Sequence, residues 1–142
     1  MTAPVSRALV CVLAGVGLLA AGCGAGVQAA DLFIVDRSGS TPQARLTLLV
    51  NEEGKVNCDG GPTRELSDPQ IVKARAIQEE LQKPASEHVS LPARAGSVFS
   101  YYMRDENGTL RFADNSAGQS KWMRELQLFV TETAQQVCHI GG

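Results

Sequence analysis

The sequence predicts an α+β domain, with an antiparallel sheet of about five strands and two helices packed on one face, in the order βββαββα. Short apolar or alternating segments come in pairs joined by turn residues, which is typical of hairpins. Two longer segments carry apolar residues at helical spacing. The chain has 142 residues, of which 44% are hydrophobic and 20% charged. This composition is that of one globular domain.

The first three strands follow from short apolar patterns. Residues 32–35 form an apolar run, which predicts a strand. Residues 45–50 alternate, with leucine or valine at every second position, and 51–54 are turn residues. Lys55–Cys58 then returns as the second strand of a hairpin. Val56 and Cys58 share one face, so Cys58 points toward the core if Val56 does.

The first helix has two possible starts. Ser67 and Gln70 have the spacing of a capping box. Asp68 can equally serve as the cap, with Pro69 at the first helical position. Pro84 is expected to end the helix, because proline cannot donate the backbone hydrogen bond. The apolar stripe consists of Ile71, Ala74, Ile77 and Leu81.

A second hairpin follows a predicted loop over residues 84–96. Residues 98–104 predict a strand, Asn107-Gly108 is a strong turn signal, and Thr109–Ala113 returns.

The length of this second turn stays open at the level of sequence. A two-residue loop would place Met103 opposite Phe112, whereas a four-residue loop would place it opposite Leu110. Both registers keep Tyr101 and Met103 on the face of Leu110 and Phe112.

Residues 119–136 predict the closing helix. Its apolar face consists of Trp122, Met123, Leu126, Phe129, Val130 and Val137. Cys138 lies at the end of this helix.

The N-terminal segment has the pattern of a secretory signal peptide. Arg7 is the one charged residue among residues 1–22, and residues 8–21 form an apolar or glycine run of fourteen. That run is short for a permanent membrane span, which needs about 20 residues. It fits the apolar region of a signal sequence.

The run ends in Leu19-Ala20-Ala21-Gly22-Cys23, which resembles the lipobox of bacterial lipoproteins. In general layout the chain resembles exported bacterial lipoproteins that have no assigned activity. The resemblance implies that Cys23 receives acyl chains such as palmitate and becomes the N-terminus after residues 1–22 are removed. Residues 23–31 would be a flexible tether and 32–142 the folded domain. The chain would then lie on the extracytoplasmic face of the cell membrane. The alternative is cleavage after Ala29 and secretion.

The remaining cysteines predict a disulfide. Cys11 leaves with the signal peptide and Cys23 carries the lipid. Cys58 and Cys138 are then an even pair in an exported protein, where disulfides form.

Several function classes are disfavoured. A net charge of −2 argues against nucleic-acid binding, which requires a basic surface. The sequence contains no motif for a catalytic serine, a zinc protease or a phosphate loop. The two histidines, His88 and His139, lie in a predicted loop and near the C-terminus. We therefore expect no catalytic residues, no cofactor and no bound metal.

Asp36-Arg37-Ser38-Gly39-Ser40 after the first strand resembles the metal-dependent adhesion motif of von Willebrand factor A domains. The resemblance implies Mg²⁺ bound by Asp36, Ser38 and Ser40, since such oxygens suit that ion. A polar turn between two strands is the alternative interpretation.

Tyr102, Arg104 and Arg111 are expected on the outer sheet face, opposite the core. Tyrosine and arginine are enriched among the residues that dominate binding surfaces, and an ordinary solvated sheet face is the alternative interpretation. The main hypothesis is therefore a non-enzymatic, membrane-anchored binding module of the cell envelope. Its partners would be the membrane, through the lipid on Cys23, and an unknown envelope protein or ligand.

The mature domain is also similar to emfourin-like inhibitors of thermolysin-like metalloproteases. The features in common are Arg37-Ser38-Gly39 after a first strand, a return strand ending in Phe112-Ala113-Asp114, and a closing helix. The resemblance implies an α+β fold and, as an alternative function, protease inhibition. The third functional hypothesis is Mg²⁺-dependent adhesion through Asp36, Ser38 and Ser40.

Overall fold

The computed structural model describes residues 31–140. Two α-helices are present, α1 (Asp68–Ser86) and α2 (Lys121–Gln136), together with a short 3₁₀ helix over Pro42–Ala44. The strands are β1 (Asp31–Gly39), β2 (Leu46–Asn51), β3 (Lys55–Cys58), β4 (Thr63–Glu65), β5 (Phe99–Arg104) and β6 (Thr109–Ala113). Neither helix in this part of the chain combines the length and apolarity of a membrane span.

The N-terminal predictions fall on residues that the structure does not describe. The signal peptide (1–22), the lipidated Cys23, the alternative cut after Ala29 and the tether up to residue 30 all lie outside residues 31–140.

The sheet has six strands in the order β4-β3-β2-β1-β5-β6, and all neighbouring strands are antiparallel. The α+β class is confirmed. The predicted sheet of about five strands is roughly consistent with the six observed, and the order of strands and α-helices becomes ββββαββα. The additional strand is β4, whose three polar residues are all exposed. It is held by backbone pairing to β3, so its side chains give no alternating pattern.

β1 is longer than its apolar run. Residues 36–39 were expected to form a turn, but they continue the strand to Gly39. The reason is their neighbour β5, which pairs with β1 through Ser38↔Ser100 and Gly39↔Phe99. Asp36 and Ser38 are therefore strand residues whose side chains share the outer face of the sheet.

Both helices pack on the inner face of the sheet, where one apolar core forms. Phe33 of β1 meets Phe129 of α2 edge-on, with ring centroids 6.2 Å apart. The largest fully buried side chains of this core are Phe33, Phe129, Leu46, Leu48, Ile77, Leu81, Met103, Leu110 and Leu126.

The start of α1 follows the first of the two alternatives. Ser67 is the N-cap, and its backbone N–H and its hydroxyl both donate to Gln70 Oε1 at 3.0 Å. The expectation that Pro84 ends the helix was wrong, because α1 continues to Ser86. The next residue, Ala85, is fully buried, so packing against the core stabilises this last turn despite the missing N–H of Pro84.

The β5–β6 hairpin has the four-residue turn. Met103 pairs with Leu110 and Tyr101 pairs with Phe112, as that alternative requires. The buried Asp105 fixes the turn, because its Oδ1 accepts hydrogen bonds from the backbone N–H groups of Asn107 and Gly108 at 2.8 and 2.9 Å. An Asx turn of this kind explains why the strong turn signal lies inside a longer loop.

The segment after α1 was predicted as a loop, and part of it pairs with the sheet. Ser90 forms a parallel bridge to Arg111 of β6. The Leu91 N–H donates to the Arg111 carbonyl, and the Arg111 N–H donates to the Val89 carbonyl, at 2.9 and 3.0 Å. This segment covers the outer edge of β6, which would otherwise leave unpaired backbone groups.

Cys58 and Cys138 form a disulfide, with their Cα atoms 5.9 Å apart. The predicted pairing is therefore present. It ties β3 to the turn that follows α2, and so joins the two halves of the described chain.

Candidate binding face

Four polar side chains form a row across the outer face of the sheet. The strand register places Thr47 beside Asp36, Asp36 beside Tyr102, and Tyr102 beside Arg111. These four residues belong to β2, β1, β5 and β6, respectively. We call them the outer-face row. The row arises because successive side chains of each strand point to opposite faces. The residues next to these four in sequence therefore point toward the core.

Asp36 is the electrostatic centre of the outer-face row. The Thr47 hydroxyl donates to Asp36 Oδ1 at 2.6 Å, and Arg104 Nη2 donates to Asp36 Oδ2 at 2.8 Å. The side chains of Arg104 and Asp36 are 30% and 35% exposed, so water partly screens this ion pair. Both carboxylate oxygens of Asp36 therefore have partners within the sheet.

Tyr102 lies between two guanidinium groups. The Cζ atoms of Arg111 and Arg104 are 4.2 and 5.6 Å from the centroid of its ring. These are cation–π distances, and such contacts hold an arginine over an aromatic face. Arg104 is neutralised by Asp36, whereas Arg111 has no carboxylate partner among the described residues. The row therefore presents one uncompensated positive charge at its β6 end.

A shallow cleft of about 290 Å³ opens beside the outer-face row. Its lining includes Asp36, Tyr102 and Arg111 of the outer face and an apolar wall of Leu91 and Ala93. Ser38 and Ser100 add two serine hydroxyl groups. The cleft combines a cation, an aromatic ring, hydroxyl groups and a small apolar wall.

The apolar wall of the cleft is fixed by hydrogen bonds from the turn after β6. The Ser116 hydroxyl donates to the Leu91 carbonyl at 3.1 Å and accepts from the Ala113 N–H at 2.8 Å. The Asn115 amide accepts from the Arg94 N–H at 2.9 Å and donates to the Arg94 carbonyl at 3.1 Å. The wall is therefore held on both sides of Ala93.

Asp114 anchors the chain where it enters β5. Its carboxylate accepts from the Ser97 hydroxyl at 2.8 Å and from the Val98 N–H at 3.0 Å. Desolvation by burial raises the pKa of Asp114, but these hydrogen bonds and others from the backbone outweigh it and leave the pKa below its ordinary value. The carboxylate is therefore ionised at neutral pH.

The three residues of the adhesion-like motif lie one after another along β1 and the turn that follows it. Asp36 and Ser38 belong to β1, and Ser40 is exposed in the turn after it. Alternate residues of a strand lie about 6.5 Å apart. Thr47 and Arg104 already contact the Asp36 carboxylate. Residues 31–140 contain no group of three or more His, Cys, Asp or Glu side chains placed to hold a metal.

The two histidines lie apart on the surface. His88 follows α1 and its Nδ1 is 3.3 Å from the Thr109 hydroxyl, while His139 follows Cys138. Both are exposed.

Comparison of the chain with protein-family models, with curated proteins and with solved structures returns no match.

Sequence reasoning placed Tyr102, Arg104 and Arg111 together, but it treated Asp36 separately. The structure joins them, because β1 and β5 are neighbours although more than sixty residues separate Asp36 from Tyr102. The available signal was that Asp36 and Ser38 are two residues apart, which puts them on the same face of a strand. Using this signal required knowing that β1 extends to Gly39. Leu91 was missed, since its placement depends on the bridge to β6.

Proposed function

We propose that this chain is a non-enzymatic binding module of the bacterial cell envelope, anchored on the extracytoplasmic face of the membrane by a lipid on Cys23. The observation that carries the binding role is the outer-face row beside an open cleft. In this row Arg111 stacks on Tyr102 and has no carboxylate partner among residues 31–140. The occupant we propose is an envelope protein or ligand that presents an acidic group to Arg111.

The proposed location is supported by two features of the cysteines. The lipobox-like segment ending at Cys23 is the pattern that directs lipidation and export. The disulfide between Cys58 and Cys138 is typical of proteins that fold outside the reducing cytosol. Two acyl chains would hold the protein stably, because each buried methylene contributes about 0.8 kcal/mol.

The binding role is supported by the chemistry of the cleft. Arginine and tyrosine are enriched among the residues that dominate binding energy. Arg111 is oriented by its contact with Tyr102, so less side-chain entropy is lost when a ligand binds. An acidic group would form a charge-assisted hydrogen bond with the guanidinium.

Site-specific photocrosslinking in native envelopes tests this proposal. A photoreactive amino acid replaces Ser100, which is exposed in the cleft, and in a matched variant it replaces Leu128, which is 51% exposed on α2. We expect discrete adducts from position 100 that disappear when Arg111→Gln is added, and none from position 128. Equal adducts from both positions, or none from position 100, would contradict the proposal.

A second candidate function is inhibition of a thermolysin-like metalloprotease. The order of elements favours it, because Arg37-Ser38-Gly39 ends or follows a first strand, a return strand ends near Phe112-Ala113-Asp114, and a helix closes the described chain, as in the emfourin-like pattern. The test is a titration of such a protease with the purified protein. Inhibition complete near equimolar protein would support this function, and full activity at micromolar excess would exclude it.

A further inference from the structure

Arg37 is a buried cation on the inner face of the sheet. The residue is 7% exposed, although arginine is rarely buried unless it is paired. Its Nε donates to the Ala44 carbonyl at 2.9 Å, and its Cζ is 5.1 Å from the centroid of the Phe99 ring. These contacts fix the guanidinium, but neither of them supplies a negative charge.

The positive charge of Arg37 has no carboxylate partner among residues 31–140. The five ion pairs of this part of the chain involve other residues. A buried charge without a counter-ion is costly. Within residues 31–140 the hydrogen bond of the Arg37 side chain is made by Nε, and the two terminal nitrogens are not among the buried polar atoms that lack a partner. They therefore remain available to an external acceptor.

A cleft of about 230 Å³ opens at this guanidinium, between the end of β1 and the C-terminal part of α2. Its other lining residues include Thr41, Gln43, Phe99, Ala134, Gln135 and Ile140. The cleft thus offers one fixed cation, two side-chain amides and a wall of aromatic and aliphatic groups.

The walls of this cleft are held rigidly. The Ile140 N–H donates to the Ala134 carbonyl at 2.8 Å, and the neighbouring Cys138 is fixed by its disulfide. On the opposite side, a Cβ at Gly39 would lie 2.5 Å from the Val98 carbonyl oxygen and 2.7 Å from the Ala44 Cβ. The chain around Arg37 is therefore packed closely and needs little ordering when a ligand binds.

We propose that the Arg37 cleft binds a carboxylate that carries a small apolar group. The planar guanidinium can donate two parallel hydrogen bonds to a carboxylate, which makes arginine the preferred partner of this group. Phe99, Ala134 and Ile140 would contact the adjoining apolar group. Drug-sized ligands occupy pockets of about 300–1,000 Å³, so the occupant is smaller than those.

A blocked apolar amino acid and the C-terminal residue of a peptide both have this chemistry. The site lies on the opposite face of the sheet from the outer-face row, because Arg37 and Asp36 are successive residues of β1. It is therefore independent of the proposed binding at Arg111.

The first test uses N-acetyl-L-leucine and the matched uncharged probe N-acetyl-L-leucinamide. In a ¹H–¹⁵N NMR titration of the protein, we expect the acid to shift the backbone amide signals of Ala44, Phe99 and Ile140. The amide should bind at least about tenfold more weakly, since it cannot form the charge-assisted pair. Equal binding of the two probes, or absence of shifts with the acid, overturns the proposal.

The second test supplies an internal carboxylate. Gln135 is exposed and lines the cleft, so Gln135→Glu should pair with Arg37 and weaken binding of the acid by at least about tenfold. Gln136→Glu makes the same charge change on the same helix outside the cleft lining, and it should leave binding unchanged. Equal affinity in the two variants overturns the proposal.

The source of the carboxylate is decided by a short peptide that ends in leucine. Tighter binding of the free-acid peptide than of N-acetyl-L-leucine assigns the cleft to a peptide C-terminus, and weaker binding assigns it to a small molecule. Binding of the C-terminally amidated peptide with equal affinity would again overturn the carboxylate assignment.

Discussion

Asp36 carries the electrostatics of the outer face, and its replacement tests that role. Asp36→Ala removes the ion pair with Arg104 and the hydrogen bond from Thr47, and it leaves Arg104 without a counter-ion. We expect the free energy of unfolding to fall by about 1 kcal/mol, the upper range for a partly exposed pair. Urea denaturation measures this loss, and Glu80→Ala on the exposed side of α1 is the matched control.

The same variant distinguishes a structural Asp36 from a metal ligand. Because both carboxylate oxygens already have partners, millimolar Mg²⁺ should leave the melting temperature of the wild-type protein unchanged. A Mg²⁺-dependent rise that disappears in Asp36→Ala would instead support the adhesion-like site.

Asp114 predicts a specific pH dependence. Its pKa is lower in the folded chain than in the unfolded chain, so it adds stability above the ordinary pKa of 3.8. That stability is lost as the pH falls through the folded pKa. Asp114→Asn should cost about 1.5–3 kcal/mol at pH 7, because hydrogen bonds to a charged acceptor are lost.

Denaturant melts of the wild type and Asp114→Asn between pH 7 and pH 2.5 measure this effect. The difference between the two free energies of unfolding should shrink as the pH falls below about 4. A difference that stays constant over this range would contradict the role assigned to the Asp114 carboxylate.

At the level of elements, side-chain patterns predicted the strands and helices whose apolar residues are buried in the core. The strands that contribute Leu48, Val56, Met103 and Leu110 were identified because their alternating residues are buried. β4 has only exposed side chains and is specified by backbone pairing with β3, which leaves no trace in the sequence. The extension of β1 depends in the same way on β5, which arrives some sixty residues later in the chain.

The two candidate binding sites differ in how far the sequence could predict them. Tyr102 and Arg111 were placed on one face by hairpin register, a local property. The Arg37 cleft depends on the close approach of Ala44, Phe99 and Ile140, which come from three separate segments. No spacing in the sequence reveals such a meeting, so the cleft could be found only in the folded structure.

The contact between the β5–β6 turn and α1 gives a prediction for these elements. A Cβ at Gly108 would lie 2.3 Å from the Ala85 carbonyl oxygen. Ala85 is fully buried in the last turn of α1, so the helix cannot retreat. We expect Gly108→Ala to destabilise the protein by about 2–3 kcal/mol, the upper range for overpacking.

Gly118→Ala is the control for this substitution. Gly118 has a φ of +75°, but nothing lies within 4 Å of the position that its Cβ would take, so only backbone strain of about 1 kcal/mol is expected. Equal losses of stability in the two variants, measured by thermal melts, would contradict a close packing of the turn against α1.

For the whole molecule, the disulfide is the main covalent constraint. Cys58 and Cys138 are 80 residues apart in sequence, and the chain-entropy estimate for a loop of this size is about 4.5 kcal/mol. Replacing both cysteines by alanine should lower the melting temperature by at least about 10 °C. An unchanged melting temperature would mean that the bond contributes nothing to stability.

For the whole molecule, we propose that the chain is exported and lipidated on Cys23, and that it carries the Cys58–Cys138 disulfide in the cell. The decisive experiment is intact-mass spectrometry of the protein extracted from native membranes, with alkylation of the denatured, unreduced sample. We expect an N-terminus at Cys23 that carries the mass of a diacylglyceryl group, and no alkylation of the two later cysteines. A polypeptide that begins at Met1, without lipid and with Cys58 and Cys138 both alkylated, would contradict the account.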